Sequence, residues 1–154
     1  MNIVIVGCGR VGSRLAMRLA NQSHDVTVLD EKREAFLRLG TGFSGQTIQG
    51  SGLEIAQLER AQTRAADIVF ALTGGDNRNL MCAQLAKHKF GVSRAVARLH
   101  DPVRAAKFHE MGIETLCTTT ILEGLLEYYV SHDAFPPLPG EVPISGDSSA
   151  LDEF

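Results

Sequence analysis

The chain has only three cysteines, Cys8, Cys82 and Cys117, scattered too widely for a disulfide framework. No CxxC pair and no Cys/His spacing of the zinc type occurs, which fits a reduced, cytosolic protein without structural metal. No apolar run approaches the roughly 18–20 residues that cross a bilayer. The N-terminus lacks the basic, then apolar, then small-residue order of a signal peptide, and Met1-Asn2 leads straight into a strand pattern. Basic excess is missing too: the net charge is -3, so there is no field to draw duplex nucleic acid. A nucleophile elbow, a P-loop lysine and a metal-binding helix are likewise absent from the sequence.

What is present has the balance of a globular domain: 154 residues, 44% hydrophobic and 21% charged. That length holds one domain with a real core. Short apolar runs alternate with helical patterns. Strands are predicted at 2–6, 25–30, 46–49, 67–72, 94–98 and 114–117. Between them come helices at about 11–21, 31–39, 53–60, 77–90 and from Pro102 to Gly112, the last with Asp101 as N-cap. Such alternation means right-handed crossovers and a parallel sheet covered on both faces. The predicted fold is therefore α/β, a Rossmann-type doubly wound sheet of six parallel strands.

A final helix carries Ile121, Leu122, Leu125, Leu126, Tyr129 and Val130 as a broad apolar stripe. Thr120 and Glu123 have the spacing of a capping box at its start. The stripe suits either the domain's own core or a partner. Residues 1–133 are read as one domain including this helix, and 134–154, rich in Pro and acid, as a flexible tail.

The stretch Gly7-Cys8-Gly9-Arg10-Val11-Gly12 reads GxGxxG directly after a strand and opens a helix, the context a dinucleotide fingerprint requires. Gly7 makes the turn, Gly9 lets the backbone approach a pyrophosphate, and Gly12 allows close helix–strand packing. Free amides and the helix dipole favour phosphate there. Asp30, at the end of the second strand, is placed to accept from both ribose hydroxyls and to repel a 2′-phosphate. That favours NAD or another unphosphorylated adenosine over NADP. Glu31 follows it. Gly50-Ser51-Gly52, Thr73-Gly74 and Arg98 stand at the carboxyl ends of other strands, where ligands bind in open sheets, and Asn79 is within reach of the same crevice. Arg10 and Arg98 are the natural phosphate partners.

Hydride transfer needs an acid or base poised beside the nicotinamide. His24, His88, His109 and His132 are scattered, and His100 has no orienting partner near it in sequence. Cys8 sits where a helix terminus is able to lower its pKa, which opens a redox-sensing role, although a small filler suffices. The sequence therefore nominates no catalytic residue and no metal ligand. It also leaves little chain for the second domain a dehydrogenase uses.

Taken in order, the motifs resemble the RCK/KTN (TrkA N-terminal) family of nucleotide-binding regulators of potassium channels and uptake systems. The matching pieces are Gly7 through Gly12 with arginine at the fourth place, His24 through Asp30, Ala66 through Thr73, Asp76 through Leu80, and Val96 through Pro102. The resemblance implies a last helix that crosses over to a neighbouring subunit, giving dimers that assemble into rings. It implies an NAD(H) or ATP/ADP effector with Asp30 on the ribose and Arg10 near the phosphates. A potassium-translocating membrane protein is the implied partner, with the chain cytoplasmic and peripheral on the inner face of the cell membrane. Two departures stand out. Ser51 occupies a place where the family usually has Asp, and the chain ends without the family's C-terminal regulatory lobe. The alternative is the cofactor-binding subunit of an NAD-dependent oxidoreductase whose substrate domain lies on another chain.

Overall fold

The computed structural model describes residues 1–136. Six strands form one sheet: β1 (Asn2–Val6), β2 (Asp25–Asp30), β3 (Gln46–Gln49), β4 (Ile68–Ala71), β5 (Arg94–Leu99) and β6 (Glu114–Cys117). They lie in the order β3-β2-β1-β4-β5-β6, and every pair is parallel. This is the doubly wound arrangement that the alternation predicted. The helices are α1 (Arg10–Asn21), α2 (Ile55–Arg60), α3 (Asp76–Gln84), α4 (Pro102–Glu110) and α5 (Thr118–His132).

Alternation along β1 shows how the sheet feeds two cores. Ile3 and Ile5 enter a cluster with Ala16, Val26, Val28 and Leu39, while Val4 and Val6 enter another with Leu58, Val69, Leu80 and Leu99. Successive side chains of a strand point to opposite faces, so a strand buried on both sides must be apolar throughout. All four are at most 2% exposed.

Three local expectations are corrected. The segment after β2 is a 3-10 helix, Arg33–Leu39, which buries only Ala35 and Leu39. The long helix expected over 77–90 is α3 followed by a π turn, Leu85–Lys89, closed by the Phe90 amide donating to the Leu85 carbonyl. Thr120 is not an N-cap, because β6 runs directly into α5 at Thr118 and leaves Thr120 inside the first turn. Asp101 does cap α4, accepting from the amides of Val103 and Arg104.

The described chain divides into two compact units after Thr118. In the second, none of the residues of α5 is buried. Ile121, Leu122, Leu126, Tyr129 and Val130 are exposed, and Val130 is 86% so. Tyr128 and His132 stack with ring centroids 3.8 Å apart. Most of the tail expected over 134–154 lies outside the described residues.

Candidate functional site

The chain leaves β1 toward β2 on one side and β4 toward β5 on the other, so the loops after β1 and β4 part at the carboxyl edge of the sheet. Parted loops of this kind form the crevice where open α/β sheets bind ligands. A cleft of about 650 Å³ lies there.

Glycine geometry shapes its floor. Gly7 has φ +108°, and a Cβ there would come within 2.9 Å of the Leu72 carbonyl carbon and the Thr73 nitrogen. A Cβ on Gly12 would overlap the Gly7 carbonyl oxygen. The two residues thus let α1 start hard against the strand, close to the loop after β4. No side chain caps α1, so its first-turn amides have no partner within the helix.

Asp30 ties the loop from the neighbouring strand. Its Oδ2 accepts from the Cys8 amide at 2.7 Å and its Oδ1 from the Lys32 amide at 2.9 Å. Each carboxylate oxygen keeps a further acceptor site. The carboxylate therefore lines the cleft able to take two more donors, as paired ribose hydroxyls would supply.

On the far wall, Asn79 is fully buried. Its Oδ1 accepts from the Thr73 amide at 2.8 Å and the Thr73 hydroxyl at 2.6 Å. Its Nδ2 donates to the carbonyls of Thr73 at 3.0 Å and Arg98 at 2.8 Å. One amide side chain so clamps the ends of β4 and β5. A terminal nitrogen of Arg98 donates to the Thr73 carbonyl at 2.8 Å, while its Nε is buried without a partner among the described residues.

The cleft is lined by Gly7, Gly9, Arg10, Val11, Asp30, Glu31, Gly50, Gly52, Thr73, Gly74 and Arg98 from the predicted set. Four predicted residues do not line it. The Cys8 side chain is buried and donates to the Ala35 carbonyl at 3.3 Å. Burial, then the charge of Asp30, pushes its thiol up to about 11, against the weak opposing pull of Arg38. A thiol so raised is poorly ionised, which corrects the expectation that the helix terminus lowers its pKa. Gly12 serves packing, Asn79 is the clamp behind the wall, and the Ser51 hydroxyl accepts from the Leu53 amide in a turn.

Sequence reasoning missed Lys32 and Arg78, which both line the cleft. Arg78 lies in the first turn of α3, two residues past Asp76, and its place beside a strand-end loop was the available signal. Missed as well was a partner for His100. Asp76, 24 residues upstream, sits 2.8 Å from its Nδ1 and also accepts from the His100 and Asp101 amides. Burial works to raise the Asp76 pKa, but the hydrogen bonds and charge of His100 and the Asp101 amide hold it below its ordinary value. Neither Asp76 nor His100 lines the cleft.

Among known proteins, the TrkA-N domain family matches residues 3–119. The Trk system potassium uptake protein TrkA of Streptomyces coelicolor is 42% identical over 118 residues, 77% of this chain and 53% of its own length. The TrkA homolog of Pyrococcus abyssi is 34% identical over 111 residues, 72% of this chain and 49% of its own. The chain thus spans about half the length of these relatives. Similar solved folds include the TrkA-N domain of the Escherichia coli inner membrane protein ybaL, with TM-score 0.70, 20% identity and cover of 82% and 95% of the two chains. The AMP-bound Kef C-terminal domain of Shewanella denitrificans has TM-score 0.64, 19% identity and cover of 85% and 92%. The GsuK channel bound to NAD has TM-score 0.66, 20% identity and cover of 79% and 22%.

Proposed function

The chain belongs to the TrkA-N domain family, and from that membership we propose that it is a nucleotide-responsive regulatory subunit of a potassium uptake system. In this proposal an adenine nucleotide, NAD(H) or ATP/ADP, occupies the cleft. Asp30 accepts from the ribose hydroxyls, the first-turn amides of α1 face the diphosphate, and Arg10 and Arg98 balance its charge. The observation that carries the assignment is the Asp30 carboxylate, tied to the Cys8 amide yet still open toward the cleft. The NAD and AMP of the GsuK channel and Kef structures support an adenine ligand.

The partner is a potassium-translocating membrane protein, beside which the chain sits at the cytoplasmic face of the membrane. Among the described residues no helix is long and apolar enough to cross a membrane. The exposed stripe of α5 is the proposed contact with a second copy, and dimers joined this way assemble into a ring. Nucleotide regulates the pore only if it binds one dimer geometry more tightly than another. Such couplings are typically about 1–3 kcal/mol.

A thermal-shift panel of NAD, NADH, NADPH, ATP, ADP and AMP tests the ligand assignment. A bound ligand at about a hundred times its Kd stabilises by about 2.7 kcal/mol, so the effector raises the melting midpoint and NADPH, with its 2′-phosphate facing Asp30, does not. A midpoint unmoved by every nucleotide would remove the assignment.

A further inference from the structure

The outer face of α1 is basic along its length. Arg10, Arg14 and Arg18 recur every fourth residue, a spacing that sets them one above another on one side of a helix. The opposite side buries Gly12, Ser13 and Ala16, and all three arginines are exposed. The 3-10 segment Arg33–Leu39 packs beside α1, with Ala35 and Leu39 in the same core cluster as Ala16. It turns Arg33, Leu37 and Arg38 outward, and Leu37 is 81% exposed. The two elements together hold five arginines and one acid, Glu34, in a chain whose net charge is -3.

Arg10 belongs to the nucleotide cleft. Arg14, Arg18, Arg33, Leu37 and Arg38 line neither that cleft nor the cavity at the amino edge of the sheet. Arg14 and Arg33 have no hydrogen-bond or ion-pair partner among the described residues. We propose that this face docks on an anionic lipid surface, with the four arginines on headgroup phosphates and Leu37 in the apolar boundary beneath them. Guanidinium groups take phosphate oxygens in a forked hydrogen bond, and their stems tolerate apolar surroundings. Surface binding of this kind adds buried apolar area to attraction for anionic lipid, and Leu37 among the arginines supplies both terms at one place. A helical acidic peptide would need a groove to lie in, and these residues line none of the described cavities. The inference goes beyond the regulatory reading above and needs no nucleotide.

Co-sedimentation of the full chain with vesicles tests the docking face. The vesicles are phosphatidylcholine alone or phosphatidylcholine mixed with phosphatidylglycerol. The parent sediments with the mixed vesicles and not with phosphatidylcholine alone, and added salt weakens the binding. Each of Arg14→Gln, Arg18→Gln, Arg33→Gln and Arg38→Gln lowers the vesicle affinity by about fivefold. Leu37→Ser lowers it by about tenfold, the scale of partly burying a leucine, and this loss persists at high salt. Lys107→Gln removes one charge from exposed residues of α4 and leaves binding unchanged. All these positions are exposed, so the variants fold as the parent does. A parent that ignores the mixed vesicles would overturn the proposal, as would a loss in Lys107→Gln equal to that in Arg14→Gln. A parent that passes over the vesicles but binds polyglutamate, with a loss in Arg14→Gln, replaces the lipid surface with an acidic protein segment.

Discussion

The loops after β1 and β4 face one another across the cleft, and both open helices without a side-chain cap. They are held by opposite means. The first is shaped by missing side chains, since Gly7 and Gly12 admit close contacts that a Cβ would block. The second is held by side chains, since Asn79 bonds Thr73 three times and Arg98 once, and Asp76 gathers the start of the next loop. One wall fails by steric overlap and the other by orphaned polar groups. A parallel sheet can thus fix two similar strand–helix turns with different chemistry.

The contrast is broken most severely at the clamp. Asn79→Leu fills the space but leaves the Thr73 amide and the Arg98 carbonyl without their side-chain partner in a buried setting, while the Thr73 carbonyl keeps the Arg98 guanidinium. A loss of about 3–5 kcal/mol is expected, read from the midpoint of urea unfolding. Gly12→Ala, by contrast, forces α1 away from the Gly7 carbonyl. It is expected to cost about 1–3 kcal/mol, as overpacking does, and to weaken ADP binding by more than the stability loss explains. If Gly12→Ala proved as stable as the parent, the steric account of the first loop would be wrong.

Asp76 sharpens the contrast with the smallest effect. Because its folded pKa is below the ordinary carboxylate value, its tie to His100 is fully present above that ordinary value and is lost as pH falls through the folded one. Asp76→Asn should therefore lower the melting midpoint at neutral pH, by no more than about 2–4 °C. The difference from the parent should vanish in strong acid. A difference that grew on acidification would contradict the assigned sign.

The same division explains what was legible in the sequence. The places of the glycine loop and Asp30 were readable because they follow from local spacing: a turn, a helix start and an acid at the next strand's end. The doubly wound sheet of six parallel strands followed from the alternation of apolar runs with helices. The second loop was harder. Asn79 was placed near the crevice but as a ligand contact, because its four bonds to Thr73 and Arg98 depend on β4 and β5 being neighbours. The Asp76–His100 pair and the Arg78–Glu31 pair link residues that meet only after folding. The 3-10 segment, the π turn and the start of α5 at Thr118 were missed because helical periodicity fixes neither the hydrogen-bond register of a short turn nor the exact end of an element.

The central claim is that the Asp30 carboxylate holds a ribose, and a two-by-two titration tests it most directly. The parent and Asp30→Asn are each titrated with ADP and with 2′-deoxy-ADP by calorimetry. The parent should prefer ADP by about tenfold, the worth of one charge-assisted hydrogen bond, and Asp30→Asn should lose most of that preference. Equal binding of the two ligands by the parent, or an undiminished preference in Asp30→Asn, would contradict it.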